Sequence, residues 1–268
     1  MKICNGLYFS KYVKVLAPNE LKISYDQIVD FDDDDNPGLC ATMVREIYNH
    51  LRASEAKKRP STDYMAKVQK YIDVRMHAML IDWLVDVVDA YMLDPEILYL
   101  VVNYIDHYIS GNQMNIARLQ LFGITCMMIT YKYEDVYSLQ VEWCCEITDD
   151  TYSVDKIRET KSIFLDFLKF GLTIPIARCF LERCVRVAQA VTEDPMMELE
   201  SMINYLANLS LPDYGMLCYS PSVIAASSVF LGRFILLPST RPCNSTLQHF
   251  TIYKSLDLLE CVKALHSF

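Results

Sequence analysis

The feature that most constrains this chain is a helical sequence pattern that runs through five segments and then begins again. In each series the third segment is rich in small residues, such as Gly123, Thr125 and Cys126 in the first. Small side chains let neighbouring helices approach closely, so we expect each third segment at the centre of a helical bundle. The predicted segments are residues 76–88, 95–110, 115–132, 138–147 and 153–170, then 175–190, 195–209, 221–236, 244–250 and 255–266.

The first of these segments, residues 76–88, is apolar nearly all round, which indicates a buried helix. Only 7 glycines and 10 prolines occur in 268 residues, too few for the closely spaced turns of a β-rich fold. We therefore predict an all-α fold with two tandem five-helix bundles and an N-terminal helix. The predicted domains are a flexible segment containing four adjacent aspartates (1–38), the N-terminal helix with the first bundle (39–171), and the second bundle (172–268).

Charge and composition argue against several functional classes. A net charge of −9 without a basic stripe disfavours direct nucleic-acid binding, and the apolar runs are too short to span a bilayer. None of the 10 cysteines forms a C-x-x-C pair, and the 5 histidines are scattered. We therefore predict no nucleic-acid partner, no membrane partner, no metal site and no cofactor. Without the motifs of zinc peptidases, serine hydrolases or phosphate-binding loops, we also predict no catalytic residues.

From Tyr64 to Phe268, a series of short motifs resembles the cyclin family in a fixed order. The strongest is MHAMLIDWLVDV at residues 76–87, which resembles the cyclin-box signature MRAILIDWLVEV. The set as a whole is most similar to A-type mitotic cyclins, those of plants in particular. Further matches are NYID at 103–106, RLQL at 118–121, KYE at 132–134 and YSPS at 219–222.

This resemblance implies a non-catalytic subunit that binds and activates a cyclin-dependent Ser/Thr protein kinase. It implies a role in the cell cycle, in S phase and at G2/M, and a location in the nucleus and cytoplasm. An activator of this kind needs an apolar patch to displace water and a few polar groups to fix its register. The residues that match the family's kinase-binding positions are Ile47, Lys132, Tyr133, Lys161, Leu165 and Phe170.

The resemblance also implies a groove that binds Arg-x-Leu segments of substrates or inhibitors. Three of its positions, Met76, Leu80 and Trp83, follow one face of a helix. Asp86 stands where the family has Glu and would pair with the arginine of the motif, and Gln120 matches a polar groove position. By spacing alone, the three apolar residues would equally suit an ordinary helical core.

Two departures from the family pattern affect these expectations. His77 replaces the signature arginine that pairs with the aspartate at Asp106, so we predict a weaker structural pair between His77 and Asp106. Lys161 replaces a glutamate that works beside Lys132, so the expected kinase surface carries two positive charges. The alternatives are a degenerate cyclin that folds without activating a kinase, and a peptide-binding or transcription protein with the same fold.

Overall fold

The computed structural model describes residues 41–57, 59–134, 140–192, 197–238 and 242–268, with 41–44 described by their backbone only. All regular secondary structure in these ranges is helical, which confirms the predicted all-α fold. The predicted flexible segment, residues 1–38, lies outside the described residues.

The described ranges contain 12 α-helices and a 3-10 helix at Tyr214–Cys218. The α-helices are α1 (Ala41–Glu55), α2 (Tyr64–Lys67), α3 (Val74–Ala90), α4 (Ile97–Gly111), α5 (Ile116–Glu134), α6 (Val141–Ile147), α7 (Val154–Leu168), α8 (Ala177–Ala190), α9 (Met197–Leu209), α10 (Pro221–Leu236), α11 (Ser245–Thr251) and α12 (Ser255–His266).

The described chain forms two compact units. The first-repeat unit comprises residues 53–176 and 211–218, which include α2 to α7. The second-repeat unit comprises the described residues up to Arg52, residues 177–210 and residues 219–268, which include α8 to α12 and most of α1. Within the first unit α5 packs on α3, α4, α6 and α7, and within the second α10 packs on α8, α9 and α12. The third helix of each series is therefore central.

Glycines at corresponding places allow these central helices to come close to a neighbour. A Cβ atom added at Gly123 of α5 would lie 2.9 Å from Leu80 Cδ1, and one at Gly232 of α10 would lie 2.9 Å from Ile203 Cγ1. Side chains pack at interior density, so neither place has room for a methyl group without movement of its neighbour. The small residues of the sequence pattern thus mark the closest helix contacts.

The last turns of α1 pack within the second-repeat unit. Tyr48 is buried, with its ring edge-on to Phe180 at 5.6 Å and its hydroxyl donating to the Thr251 carbonyl at 3.2 Å. The guanidinium of Arg52 lies 4.5 Å from the centre of the Tyr253 ring. The predicted domain 39–171 places this helix with the first bundle, whereas these contacts are with residues of the second.

The end of α7 differs from the sequence prediction, which extended this helix to Phe170 and ended it at Gly171. The helix ends at Leu168, and Lys169 and Phe170 both adopt left-handed backbone conformations with φ of 48° and 57°. The helix ends before Gly171 because Lys169 and Phe170 form the terminating turn themselves. The Phe170 N–H donates to the Leu165 carbonyl at 3.1 Å, which satisfies a carbonyl at the helix end.

Candidate functional site

Phe170 is a large apolar side chain of the first-repeat unit that is 69% exposed on a left-handed backbone. A left-handed backbone costs an L-residue about 1–2 kcal/mol, and a phenyl ring left in water forgoes about 1.5–3 kcal/mol of burial free energy. Neither the backbone nor core packing favours this arrangement. Met92 combines the same two features, with φ of 50° and 92% exposure. Phe170 differs from it in presenting an aromatic ring, a residue type enriched at binding surfaces.

The loop that carries Phe170 is held in place from two sides. The buried Tyr104 donates its hydroxyl proton to the Leu172 carbonyl at 2.8 Å. The hydroxyl of Tyr133, at the end of α5, lies 2.8 Å from the hydroxyl of Thr173. Because these contacts fix the residues that follow Phe170, its ring is presented to solvent by an ordered turn.

The remaining predicted kinase-binding residues lie on surface elements. Lys132 is exposed in the last turn of α5, while Lys161 and Leu165 are half-buried and one turn apart on α7, so they share a helix face. With Tyr133 and Phe170, these three residues belong to the first-repeat unit, and we call the set of five the Phe170 surface. Ile47 is 54% exposed on α1, in the second-repeat unit.

The predicted substrate groove lies along α3. Met76 and Trp83 are half-buried, whereas Leu80 is only 6% exposed and packs against Gly123. Leu80 therefore supports the face from beneath and contributes little exposed surface. Asp86 is exposed at the C-terminal half of the same helix.

Gln120 of α5 is half-buried, and its Oε1 lies 3.5 Å from the Tyr152 hydroxyl. The single proton of this hydroxyl is shared with the nearer Ala117 carbonyl, at 3.3 Å. The contact with Gln120 is therefore long, and the half-buried amide can still turn to meet a ligand.

Met79, which is not among the predicted groove residues, is 61% exposed on α3. It lies three residues after Met76 and four before Trp83, so all three share one side of the helix. This spacing was visible in the sequence, but a helix that is apolar nearly all round does not reveal which side faces solvent. We call Met76, Met79 and Trp83 the α3 face.

The predicted pair of His77 and Asp106 is brought together in the interior of the first-repeat unit. His77 Nε2 lies 2.7 Å from Asp106 Oδ1, and both side chains are almost fully buried. The Tyr64 hydroxyl donates to the same carboxylate oxygen at 2.8 Å, and burial together with this carboxylate raises the pKa of Tyr64. The Tyr64 contact was not foreseen, because it depends on how α2 packs over α4.

The buried cysteines behave as small apolar residues. Burial raises the pKa of Cys144 and of Cys184 to about 12, so these thiols stay protonated near neutral pH. The described residues contain no cluster of His, Cys, Asp or Glu suited to a metal ion. Across the same ranges, no helix combines the length and the apolar character needed to cross a membrane.

These observations define a helical protein with two repeats. Its first-repeat unit carries exposed apolar side chains at the Phe170 surface and on the α3 face. Two family models match the chain: the cyclin N-terminal domain at residues 46–173 and the cyclin C-terminal domain at residues 175–268. The chain belongs to the cyclin family.

Similar proteins support this assignment. The chain is 53% identical to Cyclin-A1-2 of Oryza sativa subsp. japonica over 251 residues, which cover 93% of this chain and 52% of that protein. It is 49% identical to Cyclin-A1-4 of the same species, covering 91% of this chain and 69% of that protein. The chain thus spans about half the length of the first of these relatives. The X-ray structure of a viral cyclin from herpesvirus saimiri is similar with a TM-score of 0.72 and 19% identity, covering 82% of this chain and 95% of that one.

The resemblance to plant A-type cyclins and the cyclin-box fold are therefore confirmed. Cyclins are regulatory subunits and not catalysts, so membership of this family also confirms the prediction that the chain is not an enzyme.

The buried Asp106 carboxylate provides a test of the first-repeat interior. Replacing Asp106 with Ala leaves two buried donors, the Tyr64 hydroxyl and His77 Nε2, without their acceptor. We expect this variant to lower the free energy of unfolding by about 2–4 kcal/mol, measured by urea denaturation. Asp106→Asn is the matched control and should cost less, because its amide oxygen can still accept. Equal losses in the two variants would contradict this account.

Proposed function

We propose that this chain is the regulatory subunit of a cyclin-dependent Ser/Thr protein kinase in the cell cycle, acting in S phase and at G2/M. The observation that carries the proposal is Phe170, whose strained backbone and 69% exposed ring stand on a fixed loop. A partner that covers this ring recovers the burial free energy that the free chain forgoes. Nuclear and cytoplasmic localisation belongs to the same proposal.

The Phe170 surface has the composition of a protein-binding site. Phe170, Tyr133 and Leu165 supply apolar and aromatic area, and Lys132 supplies donors at the end of α5. Aromatic anchors surrounded by polar groups are typical of interface hot spots. Lys132 can donate to backbone carbonyls of a partner loop. We propose that Ile47 of α1 adds a further apolar contact, on the strength of its 54% exposure.

Activation by such a subunit is a shift between two kinase conformations. The chain supplies no reacting group; it binds the active conformation of the kinase more tightly than the inactive one. In protein kinases the active state requires an ion pair between a lysine and a glutamate of the regulatory helix, and an ordered activation loop. A rigid surface suits this task, because a partner that deformed on binding would not discriminate between the two conformations.

The first experiment separates a binding role of Phe170 from a structural one. In Phe170→Gly, left-handed strain is relieved while the ring is lost, so we expect an unchanged or higher free energy of unfolding. Binding to a purified cyclin-dependent kinase, measured by biolayer interferometry, should weaken at least about tenfold, which is a loss of about 1.4 kcal/mol. The matched control is Lys169→Gly, which relieves the same strain and keeps the ring.

The control should bind the kinase as wild type does. Wild-type affinity in Phe170→Gly would remove the observation on which the proposal rests. Equal weakening in both glycine variants would show that loop flexibility, and not the ring, controls binding.

We further propose that the α3 face recruits substrates and inhibitors through Arg-x-Leu segments. Met79 offers an exposed apolar contact for the leucine, and Asp86 offers a carboxylate for the arginine. Gln120 would hold the peptide backbone through its amide. Recruitment of this kind raises the local concentration of substrate at the kinase without changing the reaction itself.

Two exposed methionines provide a matched test of this groove. Met79→Asp places a charge on the α3 face, whereas Met92→Asp places one at a residue that is 92% exposed just after α3 and outside this face. For the kinase complex, kcat/KM towards a substrate with an Arg-x-Leu segment should fall about fivefold or more in Met79→Asp and stay unchanged in Met92→Asp. The wild-type, Met79→Asp and Met92→Asp complexes should phosphorylate a substrate without the Arg-x-Leu segment equally well. An unaffected Met79→Asp complex would exclude this groove.

A second candidate function is that of a degenerate cyclin that folds but, through weakened association, does not activate a kinase. The observation that favours it is Lys161, which lies on the same face of α7 as Leu165 and adds a second positive charge to a surface that also carries Lys132. Like charges brought together at an interface weaken association. Kinase binding without stimulation of histone phosphorylation would support this second candidate.

A further inference from the structure

A cavity of about 340 Å³ lies in the first-repeat unit, between the end of α4, the first turn of α5 and one side of α7. Its volume is at the lower end of the range for ligand pockets, about 300–1,000 Å³. The residues that line it include none of the Phe170 surface and none of the α3 face. It is therefore a separate site, which we call the Arg118 pocket after its charged lining residue.

The floor of the Arg118 pocket is apolar and ordered. Tyr108 and Phe122 stack with ring centres 4.4 Å apart, and Met114 is only 4% exposed. The loop that carries Met114 is fastened by the buried Gln69, which donates to the Asn112 carbonyl at 2.7 Å and accepts from the Met114 N–H at 2.9 Å. A preformed apolar floor can receive a side chain at little cost in ordering.

The charge of the pocket comes from a single residue, Arg118. No carboxylate lines the cavity, and the exposed Arg118 forms no ion pair within the described part of the chain. Burial raises the pKa of Tyr108 while Arg118 lowers it, in accord with a positive group near the ring. A guanidinium group presents a planar pair of donors that fits a carboxylate. The pocket is thus locally positive in a chain of net charge −9.

One apolar side chain that lines the cavity also reaches solvent: Ile163 is 45% exposed. A peptide can place one side chain in the cavity and continue across such an exposed lining residue.

The pocket lies on a different side of α7 from the Phe170 surface. Successive residues of an α-helix are about 100° apart, so Ile163 lies about 160° from both Lys161 and Leu165 around the helix axis, and Thr160 lies about 100° from Lys161. A partner that covers Lys161 and Leu165 therefore leaves Ile163 free.

We propose that the Arg118 pocket binds a short acidic segment of a partner protein. One large apolar side chain of that segment enters the cavity against Tyr108 and Met114, and a neighbouring carboxylate pairs with Arg118. Thr160, on the α7 side, donates its hydroxyl proton to the Lys156 carbonyl at 2.8 Å, so its oxygen can accept from a backbone N–H of the segment. The proposal does not depend on kinase binding, so it is tested on the chain alone.

Methionine methyl NMR tests the proposal directly, because Met114 lines the pocket whereas Met76 and Met79 lie on the α3 face. The chain is labelled with ¹³C-methyl methionine, and the Met114 signal is assigned from Met114→Leu. The probe is a capped hexapeptide with a central phenylalanine flanked by glutamates, and its control has glutamines in their place. We expect saturable shifts of the Met114 signal with the acidic peptide, at least tenfold weaker binding of the control peptide, and unmoved signals from Met79 and Met92.

Variants of Arg118 complete the test, since this exposed residue can change without disturbing the core. Arg118→Glu should weaken acidic-peptide binding at least tenfold, and Arg118→Lys should weaken it less, because the charge is kept and the planar fork is lost. An unmoved Met114 signal would overturn the proposal. So would shifts confined to Met76 and Met79, which would place the peptide on the α3 face, or wild-type binding by Arg118→Glu.

Discussion

The close packing of α5 within the first repeat determines where the functional residues of that repeat lie. Gly123 allows this helix to approach Leu80 of α3, and its 19 residues extend over about 28 Å. Arg118 stands in its first turn, Gln120 lies two residues further, and Lys132 and Tyr133 stand in its last turn. A single buried helix thus contributes to the Arg118 pocket, to the groove and to the Phe170 surface, and fixes the spacing between them.

The interior of the first-repeat bundle contains a buried carboxylate, Asp106, that holds three helices together. Asp106 accepts from both Tyr64 and His77, so one carboxylate connects α2, α3 and α4. In the family pattern an arginine stands at position 77, with a permanent charge and several donors, whereas a histidine offers one donor to the carboxylate here. The contact between position 77 and Asp106 is kept with a histidine in place of the arginine, and Tyr64 supplies the second hydrogen bond to the carboxylate.

Periodicity and small residues predicted the helical fold, and the central position of α5 and α10 followed from the same signals. Sequence could not show which side of α3 faces solvent, because that helix is apolar nearly all round, and Met79 was missed for this reason. It also could not show the left-handed turn at Lys169 and Phe170, since neither residue type favours that conformation. The Arg118 pocket and the packing of α1 arise from contacts between distant segments, which no local pattern records.

The most direct test of the account is co-purification of the chain with a cyclin-dependent kinase, in wild type and in Lys161→Glu, followed by a histone phosphorylation assay. The account predicts that the wild-type chain binds the kinase and raises its activity. Lys161→Glu should bind the kinase at least about tenfold more tightly than wild type, because it removes one of the two positive charges of the Phe170 surface. Failure of both proteins to co-purify with any cyclin-dependent kinase would contradict the claim that this bundle presents a kinase-binding surface.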